Sequence, residues 1–280
     1  MANDLKNLHL AFIGCGVMGE SMMAGLLRKE LVDPQKVAAS HPREGRRAEL
    51  ADKYGVAVFE SNAEAAKTVV EHEDSTVLIC VKPQRLDRVL SDLTGVLHLD
   101  QLVLSIVAGA RIVHLADELG TAKIVRAMPN TPSQIGAGIT AWTCTTAVGD
   151  EERGHVREIL AALGKELFVE TENMIDMATS LSATGPTYIF MVMEALTDAG
   201  VHLGFSRDMA KELVQETMLG SVKFAMESRL HPAELRNMVT SPGGTSAEAI
   251  YQMEKGSLRT VLSKAVYAAY KRAVELGKKS

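Results

Sequence analysis

Apolar residues run in short continuous blocks through the first half of the chain and at helical spacing through the second. Residues 8–13, 36–40, 77–81, 102–107 and 123–128 read as strands buried on both faces, because a half-exposed strand would alternate polar and apolar positions. Amphipathic segments fall between them: 18–29, with Met22, Leu26 and Leu27 on one side, then 43–54 and 85–93. That alternation predicts a parallel sheet covered by helices on both faces. After about residue 170 the strand-like blocks stop. Ile189, Val192, Met193, Leu196, Gly200 and Leu203 recur at helical spacing, as do Leu258, Val261, Leu262, Ala265, Ala269 and Leu276. The expected organisation is α/β: a doubly wound sheet over residues 1–170, then an all-helical domain over 171–280.

The second-half helices carry Ala, Met and Leu around a wider arc than one small core needs. Burying the excess against a second copy is the usual solution, so a homo-oligomer built through this domain is expected. The 280 residues are 46% hydrophobic and 23% charged, which fits a globular chain of two domains. A formal net charge of −5 argues against nucleic acid as a partner, since that function needs a basic face. Residues 1–6 lack a basic stretch followed by an apolar core, so no secretory leader is expected. The longest apolar stretch, 188–205, contains Glu194, Asp198 and His202, which argues against a membrane span. A cytoplasmic protein is expected. Cys15, Cys80 and Cys144, odd in number and widely spaced, read as reduced, buried packing residues.

The turn Gly14-Cys15-Gly16-Val17-Met18-Gly19 directly follows the first strand and opens the first helix. In that context Gly14 makes the tight turn, Gly16 lets backbone approach a pyrophosphate, and Gly19 lets the helix pack closely on the sheet. The reading is a dinucleotide site on a Rossmann-like domain. The acidic residue that would hold an adenine-ribose hydroxyl is missing. The second strand runs instead into His41-Pro42-Arg43, with Arg46 and Arg47 close behind. Ser40 can hydrogen-bond a 2′-phosphate and His41 or Arg43 can supply positive charge, which favours NADP over NAD. Arg46 and Arg47 are expected to face water on the next helix.

Three more loops should gather at the carboxyl ends of the strands: Val81-Lys82-Pro83-Gln84, Val107-Ala108-Gly109 and Met128-Pro129-Asn130-Thr131-Pro132. Lys82 is expected near the cofactor, and Asn130 is expected to bond its own turn. In the second half, Pro186 occupies an expected first helical position after Ser182-Ala183-Thr184-Gly185. Thr245-Ser246-Ala247-Glu248 has the form of a capping box. Capping does not account for Pro242-Gly243-Gly244 just before it, which exposes successive N–H groups suited to a carboxylate. The eight histidines are dispersed, with no His-Glu-x-x-His, Cys-x-x-Cys or Gly-x-Ser-x-Gly spacing, so neither a metal site nor a serine nucleophile is expected.

Taken together, these motifs resemble the pyrroline-5-carboxylate reductases, which make proline in its last biosynthetic step. The likeness covers nearly the whole chain, and Val239-Thr240-Ser241-Pro242-Gly243-Gly244 is its most specific part. The resemblance implies reduction of 1-pyrroline-5-carboxylate to L-proline by NADPH, with NADH an alternative. Its cofactor site would comprise Ile13, Gly14, Cys15, Gly16, Val17, Met18, Ser40, Pro42, Arg43, Asn62, Val81, Lys82, Pro83, Val107 and Ala108. The substrate carboxylate would be taken by Gly243, Gly244, Thr245 and Ser246, with Glu172 nearby. Ser246 stands where the family expects threonine, and Met238 where some members have asparagine. The imine nitrogen binds already protonated, or takes its proton through water or a hydroxyl, Ser246 and Thr245 being the catalytic candidates. A homodimer through the helical domain is expected, extending to a higher oligomer such as a decamer. Two rivals stand beside this reading: a 3-hydroxyacid dehydrogenase with Lys211 or Lys223 as base, and a protein that binds NADP only as a sensor.

Overall fold

A computed structural model describes residues 5–278; the reading of a missing secretory leader falls partly on residues 1–4, which lie outside the described residues. Strand and helix alternate as β1 (His9–Ile13), α1 (Val17–Arg28), β2 (Val37–Ser40), α2 (Glu44–Tyr54), β3 (Ala57–Phe59), α3 (Asn62–Val70), β4 (Ser75–Ile79), α4 (Leu86–Leu93), β5 (Leu102–Ser105), α5 (Ile112–Leu119) and β6 (Ile124–Met128). Then come β7 (Gly138–Cys144), α6 (Asp150–Ala161) and β8 (Gly164–Phe168). The strands form one sheet in the order β3-β2-β1-β4-β5-β6-β7-β8. Its first six strands are parallel and doubly wound, and the order reverses between β1 and β4.

Burial on both faces explains the unbroken apolar strands. Along β1, Leu10 and Phe12 join one core with Met22, Met23 and Leu26 of α1 and Val156, Ile159 and Leu160 of α6. Ala11 and Ile13 point the other way, into a core shared with Ala65 and Val69 of α3, Val89 and Leu90 of α4, and Leu115 of α5. Two helices end on a left-handed glycine, Gly55 after α2 and Gly120 after α5.

The sheet departs from the expected all-parallel form at its far side. β7 runs antiparallel to β6, and β8 is parallel to β7. After β6 the Pro129–Pro132 stretch folds into a tight 3-10 turn over Thr131–Ile135, so the chain doubles back without a crossover helix. Asn130 fastens this reversal: its Oδ1 accepts the Ile139 N–H at 3.0 Å and its Nδ2 donates to the Ser182 carbonyl at 3.3 Å. Its reach extends beyond its own turn, contrary to the expectation. Two of the three cysteines are buried as expected, and one is not. Cys15 is in the glycine turn and Cys80 just past β4, both buried, while Cys144 closes β7 half-buried. Burial pushes the Cys15 thiol up to about 12.

The remaining helices are α7 (Glu172–Ala178), α8 (Gly185–His202), α9 (Arg207–Ser228), α10 (Pro232–Met238), α11 (Thr245–Lys255) and α12 (Leu258–Gly277). A π-helical turn, Thr179–Ala183, separates α7 from α8. Contacts gather the chain into two compact units, one running through Thr184 and resuming at Ala269, the other spanning Gly185–Ala268. This break falls later than the division expected at 170/171. α7 belongs with the sheet because its acidic residues pair with Arg126 of β6. The end of α12 belongs there because Gly109 abuts Leu276 and Gly277.

The second unit is helical throughout, as expected. Gly200 of α8 allows Ala210 of α9 to approach, a Cβ at Gly200 lying 2.9 Å from that of Ala210. Ala210 is the one buried hydrophobic residue among the described residues of this unit, while Ile189, Phe190, Met191, Leu213, Val222 and Phe224 all stand exposed. No helix among the described residues is long and apolar enough to cross a membrane.

Candidate active site

The cofactor motif is built where β1 stops. Gly14 has φ +76, and a Cβ there would lie 2.1 Å from Val81 Cγ1, so only glycine fits under the neighbouring loop. At Gly16 the same construction meets nothing nearer than the Gly14 carbonyl oxygen at 3.9 Å, leaving open space above the turn. Gly16 is also the N-cap of α1 and no side chain caps the helix, so its leading N–H groups remain for an anion. A Cβ at Gly19 would stand 3.1 Å from Cys80 Cβ, which is the close helix-to-sheet packing the spacing implied.

This turn opens on a cleft of about 850 Å³ at the carboxyl ends of β1, β2 and β4. Of the expected cofactor residues, Gly14, Gly16, Pro42, Asn62, Val81 and Lys82 line it. Ile13 and Cys15 are buried, Cys15 giving its backbone N–H to the Ser40 carbonyl at 2.8 Å. Val17 is exposed and Met18 half-buried at the start of α1, and Arg43 is exposed at the N-cap of α2. Pro83 is half-buried in the short turn after Lys82; in the loop after β5, Val107 is buried and Ala108 half-buried. A glycine cradle, uncapped helical N–H groups and a cleft of this size fit a dinucleotide.

Ser40 takes a different part from the one expected. It is buried, its Oγ accepts the Gly14 N–H at 2.9 Å, and its hydroxyl donates to Asn62 Oδ1 at 2.6 Å. Asn62 in turn donates to Asp92 at 2.8 Å. Ser40 therefore braces the turn from beneath and has no hydroxyl left over for a phosphate. His41 is no source of positive charge either. Burial, then the charges of Arg43, Arg46 and Arg47, hold its imidazole below the usual 6.5, and its Nδ1 accepts the Arg43 N–H at 3.2 Å. Arg43 remains as the exposed cation of the loop. Arg46 and Arg47 do not simply face water: Arg46 pairs with Glu20 and Glu49, and Arg47 bonds the carbonyls of His41 and Pro42 as well as Glu60.

Cleft residues that motif reasoning missed include Glu60, Ser61, Arg85, Arg88 and Asp92. The signal for the two arginines was present as an i, i+3 basic pair at the start of a helix following a buried strand.

Glu172 heads α7, within the sheet-bearing unit. Its Oε1 accepts from the Ile112 N–H at 2.9 Å and from Arg126 Nη1 at 2.8 Å. Arg126, fully buried, also donates to Asp176 at 2.7 Å, and Arg111 reaches Asp176 at 2.9 Å. Glu172 thus fastens the start of α5, beside the loop after β5, to the buried ion pairs. Among the described residues no group of three His, Cys, Asp or Glu side chains could hold a metal ion.

In the helical unit, the loop between α10 and α11 turns at Gly243, whose φ is +68, and the Gly244 N–H returns to the Ser241 carbonyl at 3.0 Å. A Cβ on Gly244 would lie 2.4 Å from Ser241 Oγ. The expected capping box does not form. Gly244 is the N-cap and Thr245 the first helical residue, one step too late for its hydroxyl to cap. The consequence suits a binding role: the N-terminus of α11 has no side-chain cap, and Thr245 and Ser246 sit in its first turn. Lys211 and Lys223 are exposed on α9.

Residues 172–276 match the family model described as pyrroline-5-carboxylate reductase dimerisation, and residues 9–109 the model described as NADP oxidoreductase, coenzyme F420-dependent. The pyrroline-5-carboxylate reductase of Synechocystis sp. is 38% identical, the match covering 98% of this chain and 100% of that one. Among solved structures, that of a pyrroline-5-carboxylate reductase from Coxiella burnetii is similar with a TM-score of 0.86 at 34% identity, over 96% of this chain and 98% of that one. That of Plasmodium falciparum pyrroline carboxylate reductase with NADP bound has a TM-score of 0.87 at 29% identity, over 97% of this chain and 99% of that one.

Proposed function

The chain belongs to the pyrroline-5-carboxylate reductase family, and on that premise we infer that its glycine-lined cleft and its Gly243–Ser246 loop serve the reduction of 1-pyrroline-5-carboxylate to L-proline. One observation carries the reading: a single chain joins an uncapped glycine cradle to a segment, 172–276, that matches the dimerisation model of that family. Bound NADPH supplies the hydride that the imine carbon receives. The protein's own share is positioning and charge.

In this reading Gly14, Gly16 and the first N–H groups of α1 hold the pyrophosphate, with Ile13, Cys15, Val17 and Met18 contributing through the turn itself. Pro42, Arg43 and Asn62 border the adenosine end; Val81, Lys82, Pro83, Val107 and Ala108 border the nicotinamide end. Ser40 contributes from below, by fixing Gly14. The N–H groups of Gly243, Thr245 and Ser246 receive the substrate carboxylate, Gly244 shaping the turn by its bond to Ser241, and Glu172 acts by setting the loop that precedes α5. Orientation of this kind can supply roughly 7–11 kcal/mol, which leaves little need for a strong general acid. The imine nitrogen arrives already protonated or takes its proton from water, directly or relayed by the hydroxyl of Ser246 or Thr245, which regains its own proton from that water. The residues 171–280 act as the dimerisation and substrate domain, and the bare apolar surface of α8 and α9 is where a second copy sits, as the first step toward a higher oligomer such as a decamer. The setting is the cytosol, where the three thiols stay reduced.

The test is oxidation of NADPH, and separately of NADH, by the purified protein on addition of the pyrroline. Turnover that requires the imine and ignores 3-hydroxyacids is the expected result; dinucleotide binding without turnover would make the protein a sensor and end the reading. Ser246→Ala should lower kcat by about 10²-fold or less if its hydroxyl assists proton transfer. An unchanged kcat would remove that hydroxyl from the mechanism.

A further inference from the structure

In doubly wound folds the adenosine ribose lies past the end of the second strand, where an acidic residue favours a 2′-hydroxyl and a basic one a 2′-phosphate. Here β2 ends at Ser40 with no carboxylate on it. The carboxylate at this corner comes from the neighbouring strand. Glu60 directly follows β3 and lines the cleft beside His41 and Pro42, and the His41 N–H bonds the Phe59 carbonyl at 3.0 Å, which ties the two strand ends together.

Glu60 Oε2 lies 3.1 Å from Arg47 Nη2. That guanidinium is pinned from its other side, Nη1 donating to the His41 carbonyl at 3.1 Å and the Pro42 carbonyl at 3.0 Å. The pair is unequal: the Arg47 side chain is 19% exposed and the Glu60 side chain 74%. A cation held just behind the cleft-lining His41, Pro42 and Glu60 thus has for its outward partner a solvated, movable carboxylate, the kind of partner that a phosphate dianion displaces. His41 keeps its Nδ1 turned to the Arg43 N–H, so that ring nitrogen is engaged away from Arg47 and Glu60.

We propose that Glu60 sets the choice of cofactor, competing with the 2′-phosphate of NADPH for Arg47 and, when no phosphate is there, accepting the ribose 2′-hydroxyl of NADH. The proposal rests on the cleft being the dinucleotide site. It makes Glu60 the counterpart, supplied from the third strand, of the acid absent from the second.

Binding to the intact protein tests this without turnover. Calorimetric titration of wild type and Glu60→Gln with NADP+ and with NAD+, no imine present, reads the ratio of the two affinities. Glu60→Gln should raise the preference for NADP+ by about three- to tenfold, by tightening NADP+ and weakening NAD+. Arg47→Met should move the ratio the other way, with retained NAD+ binding as the sign that the corner is still folded. A ratio unchanged in Glu60→Gln overturns the proposal while leaving the cofactor cleft standing. Failure of the wild type to bind either dinucleotide overturns both.

Discussion

At the scale of single residues, two glycines of one turn do separable work. Gly14 is required by backbone conformation and by Val81, which would sit 2.1 Å from any Cβ there. Gly16 is required only by what must come close to it, since a methyl group has room. Gly16→Ala should therefore leave the Tm nearly unchanged yet weaken NADP+ binding by about tenfold or more, whereas Gly14→Ala should lower both. Thermal unfolding and calorimetry on the two variants check this, and equal loss of Tm in both would show that the open space over Gly16 is not real. Residue spacing was enough to find this turn. It was not enough to assign Ser40, whose hydroxyl is consumed by Gly14 and Asn62, partners 26 and 22 positions away that no local pattern connects to it.

At the scale of elements, five of the six parallel strands were legible because burial on both faces leaves a continuous apolar run, whereas β3, a three-residue edge strand that is partly exposed, leaves none. The reversal into β7 was hidden in a proline-flanked loop, where the tertiary bonds of Asn130 decide the path. The start of α7 was legible, but its attachment to the sheet was not, because that depends on charges from Arg126 of β6 and Arg111 at the head of α5. Arg126 and Asp176 are both essentially out of solvent, and Asp176 is shared with Arg111. Removing the central cation leaves the buried Asp176 with Arg111 as its one cationic partner among the described residues. Arg126→Met should cost about 3 kcal/mol, read as a lowered Tm, and adding Asp176→Asn should recover a good part of it. A double variant no better than the single would mean that packing of the Arg126 stem, and not its charge, is what matters.

At the scale of the whole molecule, helical periodicity told which faces of α8 and α9 are apolar but not what covers them. The two helices pack on each other at Gly200 and Ala210, yet Val222 and Phe224 stand 59% and 51% exposed. Patches of this extent mark an interface. Phe224→Asp should convert the oligomer to smaller species in light scattering coupled to size-exclusion chromatography; an unchanged mass would place the contact on another face. This half of the molecule is thus legible as a class of surface, its partner only through the family to which the chain belongs.

The course of α12 carries one more consequence. It begins among the helices, yet its last turn lies against the loop after β5, with Leu276 over Gly109 and Gly277 against Arg111. Trimming the tail therefore strikes a region more than 150 positions upstream. Deleting residues 269–280 should raise hydrogen exchange at the amides of 107–112 and loosen the grip on dinucleotide, so this helix end is part of the sheet-bearing unit's framework and no dispensable tail.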